Sequence, residues 1–159
     1  MKTTKERGLF KQRIKQMLFK SDNIIKMLIP NAAELSAKDK LEEFEKCVKS
    51  HLFINNTLTE KGTYIFFDVL IPDVSAQTKE CRIIMYLVCH RDLLDDGYSV
   101  DGYCGNRTDI LSQMVEEALL NEENANQFGI GELQLLSVDL YNSTDYYGVE
   151  MLYSAECFR

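Results

Sequence analysis

The chain has 159 residues and a mass of 18.4 kDa, which predicts a single domain over residues 1–159. With 45% hydrophobic residues, 27% charged residues and two prolines, the composition excludes intrinsic disorder, collagen-like repeats and low complexity. No apolar run approaches the ~20 residues that cross a bilayer, and no signal peptide is recognisable at the amino terminus. We therefore expect a protein without membrane association, made in the cytoplasm.

The net charge of −7 is unevenly distributed along the chain. The first 26 residues carry +6 and the remaining 133 carry −13. An acidic body argues against a general nucleic-acid-binding surface, because contacts with phosphates need clustered lysine and arginine. The basic segment is either a solvated helix face or a docking helix for an acidic partner. The candidate docking residues are Lys5, Arg7, Lys11, Arg13 and Lys15.

The spacing of the five cysteines favours reduced thiols. They lack the paired C-x-x-C spacing that zinc sites use, and their number is odd. We therefore expect small apolar side chains, and we expect no metal and no cofactor. The cysteines are Cys47, Cys81, Cys89, Cys104 and Cys157.

The first 50 residues are predicted to be helical. Apolar residues at helical spacing indicate a basic amphipathic helix over residues 4–19 and a short helix over residues 23–29. A helical insertion follows at residues 31–50, in which Ser36 is the expected amino-terminal cap. The expected inner face of this last helix is Leu41, Phe44 and Val48.

The remainder of the chain alternates between strands and one helix. Aromatic and β-branched residues predict strands at 63–71 and 80–90, joined as an antiparallel hairpin whose second strand is central. Asn106 is expected to cap a helix over residues 106–120. Alternating apolar residues then predict strands at 132–141 and 148–158. The predicted fold is therefore α+β, with a mostly antiparallel four-stranded sheet of two hairpins and helices packed on one face.

Groups suited to catalysis are few in this sequence. Cys89 and His90 are consecutive strand residues, so they face opposite sides and cannot form a nucleophile–base pair. Cys104 precedes a predicted helix terminus, which is a setting that lowers a thiol pKa, and it is the one residue on which an enzyme hypothesis rests. The acidic turn at residues 92–102 lacks the spacing of a calcium-binding loop. We therefore expect a protein that is not an enzyme, with no catalytic, cofactor-binding or metal-binding residues.

The order and length of the predicted elements at residues 64–71, 80–90, 106–120 and 132–158, after an opening amphipathic helix, resemble the tail terminator and tail-completion proteins of long-tailed bacteriophages. This resemblance implies a structural, ring-forming subunit, with a hexamer favoured, that joins the tail tube to the head at the neck or ends tube growth. It also implies contacts with tail-tube and connector proteins, a lumen through which DNA passes without specific binding, and a place in the virion. The insertion at residues 31–50 exceeds the minimal form of that family.

A neighbouring subunit in such a ring would contact aromatic and arginine side chains of the sheet. Aromatic residues are enriched at protein contacts, and arginines at strand ends can pair with acids of a neighbour. Packing within one core is the competing explanation for most of these aromatics. An alternative function is a small monomeric or dimeric binding module, an inhibitor or adaptor, that docks through its basic helix. The candidate interface residues are Tyr64, Phe66, Arg82, Tyr86, Arg91, Tyr146, Tyr147 and Tyr153.

Overall fold

The structure is a computed structural model that describes residues 3–52, 61–74, 78–94, 99–121, 123–124 and 132–158. Within the acidic turn at residues 92–102, residues 95–97 lie outside the described residues. Within the described ranges the chain forms four α-helices and one five-stranded sheet, which confirms the α+β class. None of the described helices is long and apolar enough to cross a membrane.

The four helices begin close to the predicted positions, because side chains cap three of them. The helices are α1 (Thr3–Lys20), α2 (Asp22–Leu28), α3 (Ala37–Cys47) and α4 (Arg107–Leu120). The hydroxyl groups of Ser21 and Ser36 accept hydrogen bonds from backbone N–H groups in the first turns of α2 and α3. Asn106 and Asp109 form a complete capping box at the start of α4. The predicted cap at Asn106 is therefore confirmed.

The sheet contains one strand more than the sequence predicted, and it is mixed. Its strands are β1 (Val48–Lys49), β2 (Thr63–Val74), β3 (Thr78–His90), β4 (Gln134–Asn142) and β5 (Tyr146–Phe158), in the spatial order β1-β2-β3-β5-β4. Both predicted hairpins are present, and β3 is central. The prediction of four strands is wrong because β1 pairs with β2 in parallel.

The extra strand comes from the end of the predicted third helix. That helix was expected to reach residue 50, but α3 ends at Cys47, and Val48 adopts an extended conformation with φ −119° and ψ 115°. The Val48 side chain is buried in the core, where a β-branched residue suits a strand. The expected inner face of α3 is also partly wrong, since Phe44 is buried but Leu41 is 46% exposed.

Strand β2 continues to Val74, past Pro72 and beyond its predicted end at residue 71. Pro72 lacks an N–H group and cannot donate to a sheet ladder. The β2–β3 register shifts between Leu70 and Asp73, so the proline lies within an irregularity where no regular pairing is required. The hairpin is consequently longer than predicted at its turn end.

The helices cover one face of the sheet, as predicted, and the main core lies between them. Cross-strand neighbours share a face, so alternate residues of β2, β3 and β5 enter this core together. The sheet contributes Ile65, Phe67, Val69, Ile83, Met85, Leu87, Val149, Met151 and Tyr153, and the helices contribute residues such as Phe10, Ile14, Ile24, Phe44, Ile110, Leu111 and Val115.

Polar contacts attach α1 to the sheet at two places. Arg7 Nε donates a hydrogen bond to the carbonyl oxygen of Val69 (2.6 Å), which occupies an edge position of β2 beyond the short β1. Glu6 forms an ion pair with Lys79 of β3, whose side chain is buried. The amino-terminal helix is therefore part of the folded body.

Candidate functional site: the open face of the sheet

The sheet has a second face, opposite the one that the main core occupies, called here the open face. It carries the residues of β2, β3, β5 and β4 that alternate with the core residues. The open face includes Tyr64, Phe66, Glu80, Arg82, Tyr86, Val88, Asp139, Tyr141, Tyr146, Glu150, Ser154 and Glu156. Five of the eight predicted interface residues therefore lie on one face: Tyr64, Phe66, Arg82, Tyr86 and Tyr146.

One end of the open face is an aromatic cluster. Tyr64, Phe66, Val88 and Tyr146 form a small hydrophobic core of their own, separate from the main one. The ring of Tyr64 lies 6.1 Å from that of Tyr146 and 6.2 Å from that of Phe66, distances typical of favourable aromatic pairs. Tyr86 and Tyr141 form a second pair with centroids 5.0 Å apart. These side chains stabilise each other within one subunit.

Burial and a nearby carboxylate both act on the tyrosines of this cluster. Desolvation raises the pKa of Tyr86, and the negative charge of Glu150 raises it further. Burial likewise raises the pKa of Tyr146, with a contribution from Asp145. Both phenols therefore stay neutral near pH 7, and the negative charge of this face comes from its carboxylates.

The other part of the open face is acidic, with carboxylates in direct opposition. Glu80 of β3 is the cross-strand partner of Glu156 of β5. Glu150 of β5 is the cross-strand partner of Asp139 of β4. Like charges directly opposite each other weaken a sheet, although in one of these pairs the Glu80 carboxylate also accepts hydrogen bonds from Arg82 and Ser154. The result is a negatively charged surface.

Arg82 is the basic residue among these carboxylates, and it bonds within its own strand. Its guanidinium donates to both carboxylate oxygens of Glu80, at 2.9 and 3.3 Å. Ser154 donates to the same carboxylate at 2.8 Å. These hydrogen bonds, that from Arg82 first, lower the pKa of Glu80. Arg82 is thus engaged inside the subunit, although the sequence suggested a partner in a neighbour.

The other predicted interface residues lie away from the open face. Tyr153 is fully buried in the main core, and burial raises the pKa of its phenol. Tyr147 is the partner of Cys89 and Asn142 in the ladders, on the side of the sheet that faces the helices. Arg91 is exposed just after β3, where its N–H donates to the carbonyl oxygen of Asp145 (2.9 Å). The structure therefore divides the predicted set between two faces and one strand end.

Three of the five candidate docking residues of α1 form ion pairs with acids of this same chain. Arg7 Nη2 and Lys11 Nζ both contact Asp68 Oδ1, at 2.7 and 2.9 Å. Lys15 Nζ contacts Glu45 of α3 at 3.1 Å. The other two are Lys5, which is exposed, and Arg13, whose guanidinium lies 5.6 Å from the ring centre of Phe10.

Asp68 receives this positive charge at the edge of the sheet. Burial by itself would raise its pKa, but hydrogen bonds from Lys11 and from the Val69 N–H, with the charges of Lys11 and Arg7, lower the pKa overall. The basic face of α1 therefore balances an acid of the body. Arg7 and Lys11 of the basic segment therefore serve to attach α1 to the sheet of the same chain.

The cysteine considered for catalysis is exposed, and its backbone is held on both sides. The Cys104 N–H donates to Gln113 Oε1 (3.2 Å), and Gln113 Nε2 donates to the Cys104 carbonyl oxygen (2.7 Å). These two bonds fix the turn before α4. Among the described residues, no group of three or more His, Cys, Asp or Glu side chains is arranged to hold a metal ion.

A cleft of about 310 Å³ lies between the helices, near the carboxyl end of α1. Tyr103 crosses it, donating its hydroxyl proton to Glu117 Oε2 (2.7 Å) and accepting a hydrogen bond from Asn23 (3.3 Å). The bond to Glu117 raises the pKa of Tyr103. This network joins α2, α4 and the turn before α4 across the cleft.

Sequence reasoning missed the acidic pairs of the open face and Tyr141. The strands were predicted, but which glutamate stands opposite which depends on register, and no local pattern specifies it. A shift in the β4–β5 register between Leu135 and Ser137 also breaks the expected alternation in β4. The sequence contains one sign of this shift. Leu136, Val138 and Leu140 alternate with polar residues, but this alternation is out of phase with Leu135.

Comparison with known proteins identifies one family. The model of a family described as YomW matches residues 12–155, which extend from within α1 into β5. The matched segment includes β2, β3 and β4 in full and most of β5. No curated protein matches the chain.

Proposed function

The chain belongs to the YomW family, a phage-associated family, and we propose that it is a structural, non-enzymatic subunit that forms a ring in the tail or neck of a phage particle. In this role the ring joins the tail tube to the head or ends tube growth, and its partners are tail-tube and connector proteins. The protein is made in the host cytoplasm and becomes part of the virion. The resemblance in element order supports the tail role.

The acidic open face is the observation that carries this proposal. Asp139 opposes Glu150 and Glu80 opposes Glu156, and like charges in direct opposition generally weaken a sheet. A surface that keeps repulsive pairs suits a role in which negative charge is required. A channel lined by carboxylates repels the phosphates of DNA and lets the duplex slide without sticking.

The two faces of the sheet fit different positions in such a ring. The helices already cover one face and bury the main core beneath them. The open face lies opposite this core, with buried aromatic residues at one end and carboxylates on β3, β4 and β5. We place the open face toward the channel and the helices toward the outside.

The alternative, a module that docks through its basic helix, has less support. Docking needs free cations, whereas Arg7, Lys11 and Lys15 each bind an acid of the same chain. A partner would have to displace these contacts and leave Asp68 and Glu45 without them. An internal role for the basic face is therefore the simpler explanation.

The test is the shape of the purified full-length protein, measured by light scattering during size exclusion and by negative-stain electron microscopy. We expect closed rings, with six subunits favoured, either for the free protein or after addition of tail tubes. A protein that stays without rings under both conditions would rule out the ring role.

A charge-reversal variant tests the role of the acidic face. Asp139→Lys with Glu150→Lys should make the protein retain double-stranded DNA in a filter-binding assay at low salt, whereas the unchanged protein should not. The matched control reverses two acids of α3, Glu42→Lys with Glu43→Lys, and changes the net charge equally. If the control binds DNA as strongly, the position of the acids is irrelevant and the lumen assignment fails.

A further inference from the structure

Strand β4 forms an edge of the sheet that the described chain leaves unpaired. It is the last strand in the spatial order and pairs only with β5 among the described residues. Three of its large apolar side chains are exposed: Leu136 (51%), Val138 (52%) and Leu140 (62%). Val138 and Leu140 stand opposite the core residues Met151 and Val149, so they continue the apolar face of the sheet beyond the helices.

This edge has few of the features by which proteins protect a free strand. Natural edge strands are short, contain bulges, or carry lysine, proline or inward charges. Of these, β4 has a register irregularity between Leu135 and Ser137. Strand β4 has nine residues, Gln-Leu-Leu-Ser-Val-Asp-Leu-Tyr-Asn, and its one charged residue is Asp139. A strand of this length presents backbone donors and acceptors along roughly 30 Å. Such an edge is suited to pairing with another strand.

We propose that β4 pairs antiparallel with β4 of a second copy of this chain, around a two-fold axis at Val138. Val138 is the middle residue of the strand, so this register overlaps the two copies over their full length, with the irregularity at Leu135–Ser137 opposite residues 139–141 of the second copy. It sets Val138 opposite Val138 of the second copy, and Leu136 opposite Leu140 of the second copy. Apolar cross-strand pairs of this kind stabilise a ladder, and all three exposed apolar residues find an apolar partner.

The charges of β4 fit the same register. The axis at Val138 places Asp139 opposite Ser137 of the second copy, whose hydroxyl can donate a hydrogen bond to the carboxylate. A register centred on Asp139 would instead bring two carboxylates into direct opposition and leave Leu136 without its apolar partner. A strand whose residues complement those of an identical strand can form a two-fold interface. We therefore infer that the partner at this edge is a second copy of the chain.

The opposite edge of the sheet is less suited to receive β4. Strand β1 has two residues, and beyond it Arg7 bonds to the Val69 carbonyl on β2. Head-to-tail pairing between the two edges would therefore find few free backbone groups on the β1–β2 side.

The dimer goes beyond the proposed ring and stands independently of it. A two-fold contact closes at two copies, whereas a ring needs a further contact that repeats around its axis. In the dimer the two sheets form one continuous sheet with both open faces on the same side. A dimer can therefore serve as the unit from which a ring is built, and its presence is measured whether or not rings form.

The first experiment measures dimerisation of the full chain by sedimentation equilibrium. The protein should show a monomer–dimer equilibrium in the micromolar range. Val138→Lys should weaken the dimer by about 100-fold, since two lysines would meet at the axis. Leu41→Lys is the matched control, because it places the same charge on an exposed apolar residue of α3 and should leave the dimer unchanged. An unchanged protein that is monomeric throughout, or a Val138→Lys protein that dimerises normally, overturns the proposal.

The second experiment tests the register with two variants of one half-buried residue on the strand. Ser137→Asp puts an aspartate opposite Asp139 of the second copy and should weaken the dimer by about fivefold. Ser137→Lys puts a lysine there and should strengthen it by a similar factor. Circular dichroism verifies that both variants keep the fold. If the two substitutions change the dimer in the same direction, or if neither changes it, the axis is not at Val138.

These measurements separate the two proposals. Loss of the dimer in Val138→Lys with rings still present in the unchanged protein supports the β4 pairing and the ring together. A confirmed dimer without rings leaves the β4 pairing standing and rejects the ring. Rings from a protein whose β4 variants all assemble normally reject the β4 pairing alone.

Discussion

Asp139 and Glu150 are direct cross-strand partners on the open face of the sheet, carboxylate opposite carboxylate. The β4–β5 ladder holds their Cα atoms opposite each other, so both side chains project from the same face. The same face repeats the arrangement at Glu80 and Glu156. These carboxylates lie where the proposed function needs negative charge.

Neutralising one member of this pair should stabilise the fold. Glu150→Gln removes the repulsion with Asp139 while keeping the shape of the side chain, so the free energy of unfolding should rise by about 0.2–1 kcal/mol. Urea unfolding at neutral pH and low salt measures it. Glu42→Gln on the exposed face of α3 is the matched control and should change stability less. A lower stability for Glu150→Gln would show that Glu150 has a favourable partner instead.

The ion pair between Glu6 and Lys79 should contribute strongly to the attachment of α1. The exposed fractions of the two side chains are 17% for Glu6 and 3% for Lys79, so Glu6→Gln would leave a buried ammonium without its counter-charge. We expect a loss of about 3 kcal/mol in the free energy of unfolding. Adding Lys79→Met should restore much of it, because no buried charge then remains.

The exposed pair of Glu43 and Lys46 provides the comparison, and Glu43→Gln should cost less than about 0.5 kcal/mol. Equal effects of Glu6→Gln and Glu43→Gln would show that Lys79 reaches solvent.

The stability of the protein should depend on pH through Asp68. Its pKa in the folded state lies below the reference value of 3.8, so the unfolded chain binds a proton more readily. The stabilisation is present above the unfolded pKa and is lost as the pH falls through the folded pKa. Unfolding free energies measured from neutral to strongly acidic pH should therefore decline less in Asp68→Asn. If the two proteins show parallel profiles, Arg7 and Lys11 do not stabilise the Asp68 carboxylate.

Gly148 should tolerate no side chain. A Cβ atom there would overlap the backbone carbonyl oxygen of Leu87 and come within 2.9 Å of the Val88 Cα atom on β3. Backbone atoms of a central strand cannot yield as a flexible side chain can, so Gly148→Ala should destabilise the fold by about 1–3 kcal/mol. Gly8→Ala in α1, where no atom lies within 4 Å of the added methyl group, should stabilise by about 0.5–1 kcal/mol. Thermal melts that rank the two variants the other way would contradict the close strand approach at Gly148.

The sequence predicted elements well wherever one local pattern dominated. Asn106 and Asp109 have the residue types and spacing of a capping box, and α4 begins where they indicate. The alternation in β5 likewise placed Val149, Met151, Tyr153 and Ala155 on one side of the strand, and all four are buried. In both cases the information lies within a few neighbouring residues.

The errors occurred where distant residues decide the outcome. Val48 continues a helical apolar pattern, but pairing with Ile65 of β2 makes it a strand. Pro72 is a strand terminator in isolation, yet the register irregularity with β3 accommodates it. The acidic pairs of the open face and the contacts of Arg7 and Lys11 with Asp68 depend on how the strands and α1 assemble. Charge by itself could not distinguish an internal contact from a docking surface.

Cryo-electron microscopy of the purified assembly measures how the sheet is oriented in the ring. We expect a closed ring whose channel is lined by the open face, with Asp139 and Glu150 toward the lumen and α1 to α4 on the outside. A ring lined by the helices, or an assembly with no channel, would contradict it.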